Sequence, residues 1–138
     1  GSDCQLVRTA RDSSVIVAAS ATATAADRQR LEAAGCEVLI CAGATRLERL
    51  SWLLDEFGRR KMTNVLFEGG SQVFGCLFDL SAIDEVHAFI APKLIGGQDA
   101  PSAIGGAGLD SMARAVNLVS PQIQTCGDDV YVHGRISH

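Results

Sequence analysis

Apolar residues in this chain alternate between short unbroken runs and helical stripes. Val15-Ile-Val-Ala-Ala19 is an unbroken run rich in β-branched residues, the pattern of a strand covered on both faces. Thr24-Ala-Ala-Asp27 then supplies a capping-box-like helix start with Asp in the place of Glu, and the helix runs through Leu31 and Ala34 until Gly35 stops it. Glu37-Val-Leu-Ile-Cys41 reads as a second buried strand, and Leu47, Leu50, Leu53, Leu54 and Phe57 fall at helical spacing, predicting an amphipathic helix over 46–60. A third strand, Asn64-Val-Leu-Phe-Glu68, leads through Gly69-Gly70-Ser71 into a short apolar helix with Val73, Phe74, Leu77 and Phe78. Strand and helix alternating three times is the signature of right-handed parallel crossovers. The pattern then changes. Glu85-Val-His-Ala-Phe-Ile-Ala91 is a strand, 92–110 a glycine-rich loop, and 115–126 with 129–136 two β-rich segments that predict an antiparallel pair at the sheet edge. The segment to Ser13 is polar and weakly patterned. The expectation is one α/β domain over 1–138, its sheet mostly parallel with antiparallel C-terminal strands.

Composition narrows the possibilities. A chain of 138 residues with 47% hydrophobic content builds a core without staples. A net charge of −4 with scattered basic residues argues against a nucleic-acid partner. The one basic run, Arg59-Arg60-Lys61, reads as the cationic last turn of a helix. Five cysteines (Cys4, Cys36, Cys41, Cys76, Cys126) are odd in number, widely spaced and without a C-x-x-C pair, so neither a zinc site nor a disulfide framework is expected, and a reducing cytoplasm fits. No apolar run approaches the ~20 residues that span a bilayer, and no signal peptide is evident.

The candidate chemistry gathers where strands end. At Phe67-Glu68-Gly69-Gly70-Ser71-Gln72 two glycines permit a strained turn into a helix whose first N–H groups and dipole favour an anion such as a phosphate. The same residues are also compatible with a plain strand–helix turn. Ser20-Ala-Thr22 closes the first strand, where hydroxyls can reach a phosphate; Thr22 or Thr24 can equally serve as a helix cap. Glu68 can bind sugar hydroxyls, cap the following helix or pair with a base. His87 reads as a partly buried strand residue, His133 and His138 as solvated. No catalytic acid/base dyad, H-x-E or H-E-x-x-H metal motif, G-x-S-x-G elbow or Walker loop is present, so no catalytic residue and no metal is assigned.

Val65-Leu-Phe-Glu-Gly-Gly-Ser71, Ile83-Asp-Glu-Val86, Ile90-Ala-Pro-Lys-Leu-Ile-Gly-Gly97, Ala100-Pro-Ser-Ala-Ile-Gly105, Met112-Ala-Arg-Ala-Val-Asn-Leu118 and Gly127-Asp-Asp-Val130 occur in that order, preceded by Leu6-Val-Arg-Thr-Ala10 and Val15-Ile-Val-Ala-Ala-Ser20. Together they resemble the reductase domain of the bifunctional riboflavin-biosynthesis protein RibD, over nearly the whole chain. The resemblance implies a dihydrofolate-reductase-like three-layer fold and NADPH-dependent reduction of 5-amino-6-(5-phosphoribosylamino)uracil, with hydride passing to C1′ of the opened ribosyl group. It further implies that Gly69, Gly70, Ser71, Gln72, Val73, Phe74, Gly75 and Cys76 contact NADPH, those from Gly70 onward lining its phosphates, and that Ser20 lies near the adenosine 2′-phosphate. Glu68 would contact the substrate's ribosyl hydroxyls. A homodimer is implied, as is a deaminase domain, fused or separate.

Departures from the family are also legible. The family has a further N-terminal segment that supplies a central strand and most contacts to substrate phosphate and nicotinamide; nothing here before Asp3 matches it. The expectation is a fragment of a longer protein with little or no activity of its own, although residues 1–14 standing in for that strand is a second explanation. Two other functions stay open: a related reductase acting on another pterin or pyrimidine, and a non-catalytic assembly module of the same fold.

Overall fold

The computed structural model describes residues 4–137; His138 lies outside them. The chain forms two compact units, residues 1–65 and 66–138. The first contains α1 (Gln5–Arg8), β1 (Ile16–Ser20), α2 (Ala25–Ala33), β2 (Glu37–Cys41) and α3 (Arg46–Arg59). The second contains α4 (Ser71–Asp79), β3 (Glu85–Ile90), a 3-10 turn at Met112–Arg114, β4 (Leu118–Cys126) and β5 (Asp129–Ile136).

In the first unit β1 and β2 pair in parallel from Ile16↔Glu37 to Ser20↔Cys41, the crossover pattern expected of two strands joined by a helix. Thr24 caps α2 by accepting a hydrogen bond from the Asp27 amide at 3.1 Å. Gly35, at φ 102°, ends that helix: its amide donates to Glu32 O and the Cys36 amide to Leu31 O, the double bond of a Schellman motif. Helix α3 opens on a full capping box between Thr45 and Glu48 and ends on a second Schellman motif, this time with Lys61 at φ 59°. Both α2 and α3 lie against β2. The core gathers Val7, Ala10 and Cys36, with Val15, Val17, Leu31 and Ala34 packed on it. The weakly patterned N-terminal segment thus contributes two core residues, because Val7 on a single helical turn and Ala10 just beyond it are too short a stretch to show periodicity. Cys36 and Cys41 are buried and unpaired, and burial pushes the Cys41 thiol up, away from reactivity.

At the foot of α3, Arg60 holds two carboxylates. Its terminal nitrogens donate to both oxygens of Glu37 at 2.6 and 2.9 Å, and its Nε donates to Glu56 at 2.7 Å. The paired guanidinium holds the Glu37 carboxyl below its ordinary value. A group depressed on folding stabilises the fold above its unfolded pKa, about 4.3 for Glu, and loses that contribution as pH falls through the lower folded value. Urea unfolding of the parent chain and of Glu37→Gln should therefore converge as pH drops from 7 to about 3. A gap between the two that stays constant over that window would remove the pairing from the account.

In the second unit three strands form an antiparallel sheet in the order β3–β5–β4. β4 and β5 close through Gly127-Asp128, with Gly127 at φ 61° in the first loop position, as a type II′ hairpin requires. The register slips between Val119 and Gln122, where Ser120 stands at φ 46° and Pro121 follows; β4 is an edge strand, and an edge strand or an irregularity in the ladder is where a sheet tolerates proline. The predicted closing pair is thus present, with β5 in the middle of its sheet.

One predicted element is absent. Residues 63–68 carry no strand: the expected run Asn64–Glu68 finds no hydrogen-bonding neighbour among the described residues, and Leu66 is 75% exposed. An apolar β-branched run is necessary for a buried strand, but the strand exists only where another offers its edge. Parallel pairing is accordingly confined to β1 and β2, and the antiparallel strands form a separate sheet.

Candidate nucleotide-binding turn

The glycine doublet sits where the sequence places it, at the mouth of α4. Gly69 has φ 103° and Gly70, the N-cap, φ 82° and ψ 121°, conformations that disfavour any L side chain. A β-carbon built on either residue meets nothing within 4 Å, so the backbone here faces open space. The first amides bonding back into the helix are those of Val73 and Phe74, both to Gly70 O at 3.0 and 3.2 Å. No side chain caps this end and no acid lies in its first turn. Of the three roles open to Glu68, the structure provides neither a cap nor an ion pair: the residue is exposed and has no hydrogen-bond partner among the described residues.

Further along α4 the residues turn inward. Ser71, Val73, Phe74 and Cys76 are half-buried, Gly75 and Leu77 buried, and Gln72 exposed. Gly75 has a role the sequence reading missed. A β-carbon there would lie 2.3 Å from the Gly105 carbonyl carbon and 2.4 Å from the Gly106 nitrogen. The loop segment Gly105–Ala107 is laid directly on the helix: the Gly105 amide donates to Ser71 O at 2.8 Å, and the Ala107 amide donates to Asp79 Oδ2 at 3.0 Å. Gly106, at φ 85°, passes between Asp79 and Gly75 O. The signal was present in the sequence as small residues at 105–108 and a lone glycine inside an apolar helix, a pattern that marks close backbone approach. Beside this contact, Phe78, Ile104, Leu109, Met112 and Val116 line an open, mainly apolar hollow of about 500 Å³, with Asp110 and Ser111 at its margin.

Ser20 belongs to the first unit, half-buried at the end of β1, where its hydroxyl is 2.6 Å from that of Thr22. Thr24 is committed to capping α2, leaving Ser20 and Thr22 as the free pair at that strand end. The turn Gly69–Gln72, Glu68 and the residues Val73, Phe74, Gly75 and Cys76 are brought together in the second unit.

Comparison with known proteins defines the class. The fold is shared with a pyrimidine reductase-like protein of Corynebacterium diphtheriae (TM-score 0.71, 22% identity, covering 89% of this chain and 50% of that one). It is shared as well with RibD of Acinetobacter baumannii (TM-score 0.73, 18% identity, 99% and 34%), and the α/β fold is that of the dihydrofolate-reductase-like reductase domains. The family follows from the sequence: the RibD C-terminal domain matches residues 2–132, and the chain belongs to that family. The riboflavin biosynthesis protein RibD of Actinobacillus pleuropneumoniae is 33% identical over 131 residues, 93% of this chain and 34% of the relative. A 2,5-diamino-6-ribosylamino-4(3H)-pyrimidinone 5′-phosphate reductase of Methanothermobacter thermautotrophicus is 33% identical over 94 residues, 68% of this chain and 43% of the relative. The chain therefore spans less than half the length of either. No helix among the described residues is long and apolar enough to cross a membrane.

Proposed function

We propose that the protein reduces a phosphoribosylaminopyrimidine of riboflavin biosynthesis with NADPH, and that this chain contributes the turn that receives the cofactor. The observation that carries the reading is the open Gly69–Gly70 mouth of α4, where space for an anion coincides with helix amides and the positive end of the helix dipole. NADPH fits this donor set, since its diphosphate needs backbone N–H groups and no β-carbon in the way; when bound it supplies the hydride. Gly69, Gly70, Ser71 and Gln72 hold the diphosphate, and the inward-facing Val73, Phe74, Gly75 and Cys76 fix the helix that presents them. The family resemblance assigns Ser20 to the adenosine 2′-phosphate. Glu68, without a hydrogen-bond partner among the described residues, accepts hydrogen bonds from ribosyl hydroxyls. The protein's part is then mainly distance and orientation. Five unpaired cysteines suit a reducing cytoplasm, and the fully exposed Leu94 and Ile95 suit a homodimer.

The uracil substrate 5-amino-6-(5-phosphoribosylamino)uracil is the first reading. The name of the Methanothermobacter relative favours the diaminopyrimidinone ribosyl phosphate as a second. Following NADPH absorbance with each compound, and with dihydrofolate, separates the cases. Oxidation dependent on one ribosylamino-pyrimidine phosphate identifies the substrate, and oxidation with dihydrofolate alone would overturn the proposal. Saturable NADPH binding, tighter than that of NADH, supports the reductase reading even without turnover, and absence of detectable binding would point to an assembly module or a fragment.

A further inference from the structure

Away from the glycine turn, three side chains of the antiparallel sheet converge on one point. His87 of β3 stands directly across from His133 of β5, and Glu85 lies two residues before His87 on the same face. The two imidazoles are stacked, 5.4 Å between centroids at 12°. One carboxylate oxygen, Glu85 Oε1, lies 3.2 Å from His87 Nε2 and 3.7 Å from His133 Nδ1. One ligand atom from each of the three residues falls within 4.8 Å of the others.

The far side of each ring is already held. His87 Nδ1 is 2.6 Å from the Tyr131 hydroxyl, and His133 Nε2 is 3.3 Å from Gln122 Oε1. A histidine whose Nε2–H donates to an amide oxygen carries its lone pair on Nδ1. In His133 that Nδ1 is shielded from solvent, has no hydrogen-bond partner among the described residues, and faces a carboxylate beyond hydrogen-bond reach. An imidazole nitrogen and a carboxylate oxygen that face one another are together a pair of donors for a cation. Arg135 takes the outer oxygen of Glu85, with Nε at 4.0 Å from Oε2, and leaves Oε1 to the two rings.

We propose that Glu85, His87 and His133 form a site for a divalent transition-metal ion of the zinc class, clipping β3 to β5. Zn²⁺ takes N and O ligands at about 2.0–2.2 Å, so its tetrahedral ligands stand about 3.3 Å apart, and the two spacings from Glu85 Oε1, 3.2 and 3.7 Å, are close to that. Two nitrogens and one carboxylate oxygen are zinc's customary donors, while Tyr131 and Gln122 are the outer partners that orient ligating imidazoles. The half-exposed position leaves water as the fourth ligand. Because the ligands come from two strands far apart in sequence, no local metal motif announces the site.

The test is titration of the metal-free 138-residue chain with Zn²⁺ by calorimetry, and with Co²⁺ as a visible-region probe. One ion should bind per chain and raise the Tm. Glu85→Gln, His87→Asn and His133→Asn should each weaken binding tenfold or more, and Tyr131→Phe by about tenfold through loss of ring orientation. Circular dichroism of the metal-free variants verifies that they fold; Glu85→Gln, a polar replacement at an exposed position, keeps the test alive if a histidine variant does not. Absence of saturable binding would overturn the proposal. So would affinity unchanged in the His87→Asn/His133→Asn double variant, or a Co²⁺ spectrum dominated by thiolate charge transfer from the free cysteines.

Discussion

Gly75→Ala should destabilise the second unit by about 3 kcal/mol, the upper end of what overpacking typically costs. Alanine is the better helix former by roughly 0.5–1 kcal/mol, so on propensity alone the change would help. The contact reverses the sign. The new methyl would lie 2.3 Å from the Gly105 carbonyl carbon and 2.4 Å from the Gly106 nitrogen, and backbone cannot swing aside as the tip of a side chain can. Either the loop lifts, forfeiting the Gly105→Ser71 and Ala107→Asp79 hydrogen bonds, or α4 shifts. Gly58 of α3 provides the matched control, since a β-carbon there meets nothing within 4 Å; Gly58→Ala should stabilise by up to ~1 kcal/mol. Urea unfolding of both variants decides the matter, and equal effects would mean that the loop does not rest on the helix.

Gly70→Ala should act on binding more than on folding. At φ 82° and ψ 121°, outside the left-handed helical well, an alanine is strained by about 1–3 kcal/mol, but its methyl meets no neighbour. That methyl would project into the space from which a diphosphate reaches the helix amides, so NADPH affinity should fall tenfold or more while the chain remains folded. Gly75→Ala and Gly70→Ala thus separate the two uses of glycine within one helix. The first loses stability, and the second loses ligand. A Gly70→Ala chain that binds NADPH as the parent does would show that the doublet serves only as a turn.

Much of this fold can be read from local pattern. The β1–β2 crossover, both α2 caps, the amphipathic α3 and the β4–β5 hairpin each depend on residues close in sequence, and each is present. The failures all involve partners distant in sequence. Asn64–Glu68 has strand composition but no neighbouring edge, so it stays unpaired. Gly75, in the run that the family resemblance assigns to the cofactor, has in addition a packing role against the distant backbone of Gly105 and Gly106, which the sequence marks only as small residues. His133 read as solvated, yet in β5 it stacks on His87 with one nitrogen shut away from water. For the site itself, the turn was legible from Gly69 and Gly70, whose positive φ values only glycine adopts readily. The contribution of Ser20, in the other unit, rests on the family resemblance.

The most direct measurement is an amide-resolved NMR titration of the ¹⁵N-labelled chain with NADPH. If the mouth of α4 grips the diphosphate, the largest shifts fall on the amides of Gly69 to Val73, with a second group at Ser20 to Thr22, and inorganic pyrophosphate reproduces the first group alone. Shifts confined to other surfaces, with the amides of residues 69–73 unmoved at saturating NADPH, would contradict the account.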